Sequence, residues 1–205
     1  MVLFLKRLRA RHGEGIRFFQ CGEYGEKLER PHHHCLLFNF DFDDKVFFKK
    51  SPSGDSIYTS AELSELWPYG FSSVGAVSFD SAGYVARYAM KKVRGSRAIE
   101  HYGSKVPEYL TMSRRPGVGA GWIDKFASDV YPRDELVVNG AVSKPPRYYD
   151  DRVGRVSPGM LEDIKICRRG RGSVNPDGSG KRLVVREKVK AAAVHALTRG
   201  VENET

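Results

Sequence analysis

Two strand-like runs constrain this chain more than any other feature. Ile16 to Tyr24 and His32 to Phe40 are both rich in aromatic and β-favouring residues, and a polar loop with Gly25, Glu26, Lys27, Glu29, Arg30 and Pro31 separates them. That arrangement predicts an antiparallel hairpin. Ahead of it, Leu3, Leu5 and Leu8 interleave with Lys6, Arg7, Arg9 and Arg11, which predicts a short amphipathic helix with a basic outer face, closing at Gly13.

Beyond the hairpin, Lys49 to Asp55 is a turn cluster between two short strands, and Ser60 is placed to cap a brief helix through Leu66. Phe71 to Phe79 returns to strand character and leads through Asp80 and Ser81 into a helix ending near Val93, with Gly95 as its stop. Helices interspersed with antiparallel strands make an α+β domain, a central sheet with flanking helices. After residue 95 the periodicity weakens and Pro, Gly and Arg become frequent. The expected organisation is a core over residues 1–95, an extension over 96–165 packed on or near it, and a basic, irregular, partly disordered tail over 166–205 with a short helix.

Charge narrows the partner. A net charge of +9 and a pI near 9.5 favour a polyanion, because clustered Lys and Arg release counterions from phosphates. Two stretches concentrate it: Lys91 to Arg115 holds seven Lys or Arg against two Glu, and Lys165 to Lys190 holds nine against two acids, so both are candidate phosphate contacts. Lys92, Arg94, Arg114 and Arg115 are the DNA-binding candidates in the first; a solvated basic surface is the ordinary alternative for either. Three scattered cysteines, Cys21, Cys35 and Cys167, suggest neither a disulfide framework nor a thiolate zinc site. The opening Met1 to Leu5 is too short for a signal core, and no later run approaches the ~18 apolar residues of a spanning helix. The expected setting is a reducing cytoplasm, without membrane contact.

The run Pro31-His32-His33-His34-Cys35 carries the first chemical signal. Alternate side chains of a strand share a face, so His32 and His34 point together and His33 points away. A tight antiparallel return would bring Glu23 close enough to serve as an oxygen ligand beside the two imidazoles, leaving positions open for a substrate phosphate. A half-exposed strand that happens to hold three histidines is the alternative.

Tyr84 and Tyr88 carry the second, with Lys91 after them. At i, i+4 and i+7 they fall within an arc about 60° wide on a helix, while Ala82, Val85, Ala86, Ala89 and Val93 lie elsewhere, so the helix is expected to pack on its small residues and present two phenols and an ammonium. A core helix with tyrosines at its rim would look similar. Taken together, the two groups supply a reaction: a phenol with an ordinary pKa near ~10 needs a polarised phosphate, which a divalent cation provides. Lys91 would neutralise charge or assist proton transfer, and two phenols allow two successive strand transfers.

Cys21-Gly-Glu-Tyr-Gly25, Arg30-Pro-His-His-His34 and Tyr84-Val-Ala-Arg-Tyr88-Ala-Met-Lys91-Lys92 jointly resemble the HUH endonucleases, in particular the replication initiators of gokushovirus-type microviruses. The likeness continues through Met112 to Gly119 and Pro146 to Asp150. It implies a ferredoxin-like HUH nuclease core that binds Mg²⁺ or Mn²⁺ and nicks single-stranded DNA at a replication origin in a bacterial cytoplasm, with the host helicase and polymerase as further partners. His32, His34 and Glu23 are then the metal ligands, and Tyr84 and Tyr88 the nucleophiles that form a 5′-phosphotyrosine bond. Two features depart from the family: His33 stands where an apolar residue is usual, and the Cys-bearing segment and Thr- and aromatic-rich strand that precede this first helix are not in the chain. The sheet is therefore expected to lack its first strand and to expose an edge.

Two rival readings remain. A non-catalytic binder of single-stranded DNA would form no covalent adduct, and a zinc-type hydrolase using His32, His34 and Glu23 would tolerate loss of both phenols.

Overall fold

The computed structural model describes residues 1–25, 28–88 and 92–196, and these form two compact units that divide after Val118. In the first, α1 (Val2–His12) ends at Gly13, whose φ of 91° breaks the helix and whose N–H bonds back to the Arg9 carbonyl. The hairpin follows as β1 (Arg17–Tyr24) and β2 (Pro31–Phe38), paired antiparallel from Arg17 opposite Phe38 to Tyr24 opposite Pro31. Then come β3 (Val46–Lys50), β4 (Ser56–Thr59), α2 (Ala61–Leu66), β5 (Val74–Gly75), α3 (Phe79–Arg87), α4 (Arg97–Tyr102) and β6 (Tyr109–Met112). Ser60 caps α2 as its sequence suggests, accepting a hydrogen bond from the Leu63 amide.

The central sheet has the order β2-β1-β6 and is antiparallel throughout; β3-β4-β5 form a second antiparallel sheet. The fold is α+β, with helices flanking antiparallel sheets. Strand alternation gives the central sheet two apolar faces. Phe18 and Leu37, which oppose each other in register, pack with Phe4, Leu5 and Leu8 of α1 and with Leu63 and Leu66 of α2. Their neighbours Phe19 and Leu36, opposed in turn, lie on the other face with Cys21, Val85 and Tyr88. Burying each large apolar side chain contributes about 1.5–3 kcal/mol, so sheet faces covered on both sides hold the hairpin firmly. Among the described residues β2 stands at an edge of this sheet.

Three expectations change here. The strand predicted over Phe71 to Phe79 shrinks to Val74–Gly75, because Ser78 is taken up as the N-cap of α3: it accepts from the Ser81 amide while the Ser81 hydroxyl accepts from the Ser78 amide. Next, the border at residue 95 falls inside the first unit, since β6, contributed from beyond it, pairs with β1 from Phe19 opposite Met112 to Gly22 opposite Tyr109. Lastly, the region taken as irregular is largely helical.

The second unit contains α5 (Ala120–Val130), a hairpin of β7 (Leu136–Val138) and β8 (Ala141–Ser143), α6 (Arg147–Val156), α7 (Pro158–Ser173), a short 3₁₀ turn (Pro176–Gly178) and α8 (Gly180–His195). Asn139 and Gly140 turn the hairpin with positive φ at both residues, as the Asn-Gly pair predisposes them to do. Ile123, Val130, Tyr131, Val153 and Ile164 form its core. The tail expected over 166–205 is thus two helices as far as it is described. Gly170 and Gly172 read as breakers, yet α7 runs through them, tethered upstream by buried Ile164 and by Arg168, which forks onto Asp134 and Asp150. Among the described residues no helix is long and apolar enough to cross a membrane.

Candidate active site

The hairpin register builds the site. Glu23 lies opposite His32 and Cys21 opposite His34, so these four side chains share one face of the sheet, the face covered by α3. His33, one residue out of phase, points to the other face, where its ring stands edge-on to Trp67 at 5.3 Å and accepts or donates a hydrogen bond with the Tyr109 hydroxyl at 3.2 Å. Burial lowers the pKa of His33, helped by the N-terminal ammonium and the flanking histidines, which keeps this imidazole neutral. Glu23 is buried to 5% exposure, and its Oε1 lies 3.0 Å from His34 Nε2.

Close approach sets two glycines of this segment. A Cβ on Gly22 would come within 2.4 Å of the Tyr109 ring, and one on Gly25 within 2.7 Å of the His32 ring. Absence of a side chain at Gly25 therefore leaves space for the His32 imidazole at the open end of the hairpin.

Helix α3 brings the phenols. It packs through Ala82, Val85 and Tyr88, with Tyr84 beside them, while Ala86 is exposed. The expectation that small residues face the protein and phenols face outward is corrected: Tyr88 is only 4% exposed and both rings lie towards the sheet. Tyr84, Tyr88 and Val85 span one continuous arc of the helix, and large rings filling the gap above Cys21 and Leu36 bury more apolar area than alanines would. The His34 imidazole stacks on the Tyr88 ring, with centroids 4.6 Å apart and planes 15° from parallel, and stands edge-on to Tyr84 at 6.2 Å. The Tyr88 hydroxyl donates a hydrogen bond to the Tyr84 hydroxyl. Arg87 holds its guanidinium 5.6 Å from the centre of the Tyr84 ring.

Five of the anticipated residues, Glu23, His32, His34, Tyr84 and Tyr88, thus lie on one side of one sheet. Two imidazoles and a carboxylate are donors that suit a divalent cation, although among the described residues no three His, Cys, Asp or Glu are drawn together tightly enough to enclose one. Burial pushes the Cys35 thiol up to about 12, so it stays protonated and offers no thiolate. Lys91 lies outside the described residues. Lys92 and Arg94 are exposed beyond α3, and Arg114 and Arg115 are exposed just after β6, with Arg114 bridged to Gly117.

Over residues 1–93, which include the whole hairpin and α3, the chain matches the replication-associated protein ORF2 family. It is 37% identical over 158 residues to the replication-associated protein VP4 of Bdellovibrio phage phiMH2K, an alignment that takes in 73% of this chain and 49% of that protein. The chain belongs to the phage replication-associated proteins. Replication-associated protein ORF2 of Spiroplasma virus 4 is 34% identical over 162 residues, with 74% of this chain and 49% of that protein aligned. Replication-associated protein ORF4 of Chlamydia phage 1 is 30% identical over 158 residues, covering 73% and 39%. This family member spans about half the length, or less, of these relatives. No solved structure matches it.

Sequence reasoning missed the residues that position α3 in this replication-associated protein. The Cys21 thiol points at the Val85 carbonyl at 3.9 Å, joining the sheet to the middle of the helix. Buried Tyr102 of α4 accepts from the Val93 amide at 2.8 Å and donates to Glu108, which pins the chain just past the tyrosines. Neither contact has a local sequence signal, since each joins elements distant in the chain.

Proposed function

We propose that this chain is a replication initiator that nicks and rejoins single-stranded phage DNA through a 5′-phosphotyrosine intermediate, in the manner of the HUH endonucleases. The observation that supports this most is the pair of hydrogen-bonded phenols packed against His34, which is itself hydrogen-bonded to Glu23. His32, His34 and Glu23 would hold a divalent Mg²⁺ or Mn²⁺. That ion supplies polarisation of the scissile phosphate and stabilises the charge that grows on it.

The chain's own groups do the rest. Tyr84 is the first nucleophile: it is less buried than Tyr88, and the hydrogen bond donated by Tyr88 stabilises its phenolate form. Its oxygen bonds to phosphorus as the phosphorus–O3′ bond breaks; the phenol proton passes to water, and the leaving oxygen takes one up to become a 3′ hydroxyl. Host polymerase extends that end. The 3′ hydroxyl of the displaced strand later attacks the phosphotyrosine and returns the phenol, so rejoining needs no nucleotide cofactor. Lys92, Arg94, Arg114 and Arg115 are proposed to contact phosphates, which would act inside the bacterial host.

The test is incubation of the chain with labelled single-stranded origin DNA and Mn²⁺, read on denaturing gels for a protein–DNA adduct. Adduct formation that disappears in the Tyr84→Phe, Tyr88→Phe double variant is the expected result. Cleavage retained in that variant would point to hydrolysis by water, and binding without any adduct to a non-catalytic binder.

A further inference from the structure

The second sheet carries side chains that the nicking chemistry does not use. All five residues of β3, Val46-Phe47-Phe48-Lys49-Lys50, are exposed. Phe47 is 56% exposed, Phe48 48% and Phe71, in the loop before β5, 72%. These rings are not scattered. Phe48 lies 5.4 Å from Phe71 between centroids, and Phe47 stands edge-on to Tyr58 at 6.2 Å. A register shift between Phe47 and Lys49 leaves Phe48 without a partner on β4, which turns its ring off the ladder.

Cations alternate with the rings. Lys49 holds its ammonium 5.9 Å from the centre of Phe48, and Lys45 holds its own 5.7 Å from that of Tyr58. Two nearby carboxylates are turned to other work: Asp44 accepts from Ser60 and from the Glu62 amide, and Asp55 accepts from Ser53. Asp41 pairs with Lys45, so Lys49 and Lys50 carry most of the local positive charge.

We propose that Phe47, Phe48 and Phe71, with Lys49 and Lys50, form a stacking ledge for single-stranded DNA, a second contact surface that shares no side chain with the tyrosine site. Exposed rings offer flat faces to unpaired bases of any identity, and ammonium groups between them match the phosphates that link those bases. A protein-binding face of this size would instead be depleted of lysine at its centre. The ledge would hold the strand flanking the nick. It rests on the reading of the chain as a protein that acts on single-stranded DNA.

Two measurements on the full chain test it. Fluorescence anisotropy with labelled oligo-dT compares the unaltered chain with the Phe47→Ala, Phe48→Ala, Phe71→Ala variant, whose exposed rings leave the core untouched. Affinity is expected to fall by on the order of ten-fold or more, while adduct yield at saturating origin DNA stays as it was. Photocrosslinking of the unaltered chain to a 5-iododeoxyuridine oligonucleotide, mapped by mass spectrometry, is expected to mark residues 46–50 or Phe71, and it does not depend on any variant folding. Unchanged affinity, crosslinks confined to other segments, or no binding of oligo-dT by the unaltered chain would each overturn the ledge. Absence of an adduct alongside ring-dependent binding would overturn the nicking reading alone.

Discussion

The imidazole of His34 and the ring of Tyr88 are stacked, 4.6 Å between centroids and 15° from parallel, so the candidate metal strand and the tyrosine helix meet through a direct aromatic contact. A change on either ring is therefore felt by the other. The same contact separates what Tyr88 does by its ring from what it does by its hydroxyl.

Tyr88→Phe keeps the ring and removes the hydrogen bond to Tyr84. Its melting temperature should stay near that of the parent, and adduct formation should slow while still occurring on Tyr84. Tyr88→Ala, by contrast, empties a buried site and should cost about 3–5 kcal/mol of stability. Tyr84→Phe should lower the rate of first adduct formation by on the order of 10³-fold or more. An adduct that maps to Tyr88 in the unaltered chain during the first turnover would reverse the assignment.

Glu23→Gln preserves shape and a hydrogen bond to His34 but withdraws the negative charge. The Mn²⁺ concentration giving half-maximal nicking should rise by about 10- to 100-fold, with thermal stability in metal-free buffer little altered. A metal titration that superimposes on the parent's would remove Glu23 from the ligand set.

Gly22→Ala places a Cβ 2.4 Å from the Tyr109 ring, which must then move off the sheet. Destabilisation of about 1–3 kcal/mol is expected, measurable by urea unfolding. Adding Tyr109→Ala should bring the double variant closer to the stability of Tyr109→Ala alone than independent effects predict. Simple additivity would show that the two residues do not collide.

Arg168 donates to both Asp134 and Asp150, and Tyr131 also donates to Asp150. Burial by itself raises the Asp150 pKa, but the hydrogen bonds from Arg168 and Tyr131 outweigh it and hold the carboxyl below the usual carboxylate range. Because the folded value is depressed, this stabilisation is complete above the unfolded value of about 3.9 and is lost as pH falls through the lower folded value. Arg168→Met should cost the second unit about 3–5 kcal/mol by stranding two buried carboxylates, and should move acid unfolding to higher pH. Melting curves recorded between about pH 2 and 6 check both, and an unshifted acid limb would show that the clamp does not set it.

Local chemistry made the first part of the chain legible before any coordinates. The hairpin, the helix stop at Gly13 and the cap at Ser60 depend on neighbours within a few residues, and all three are found. The shared face of Glu23, His32 and His34 follows from strand alternation once the hairpin is granted. The second half resisted for the opposite reason. Gly170 and Gly172 lower helix propensity by about 1 kcal/mol each, yet tertiary anchoring at Ile164 and Arg168 accompanies a helix that passes through them.

The amino-acid order by itself determined the strand pair, its register-dependent faces, the basic charge and the spacing of Tyr84 and Tyr88, because each follows from backbone geometry and side-chain type along a short stretch. Only the tertiary structure decided that β6 joins the core sheet from beyond residue 95, that the phenols turn inward onto His34, and that rings on β3 stay in water. Those outcomes depend on contacts between residues tens of positions apart, whose free energy is set by the area each arrangement buries and not by any local preference.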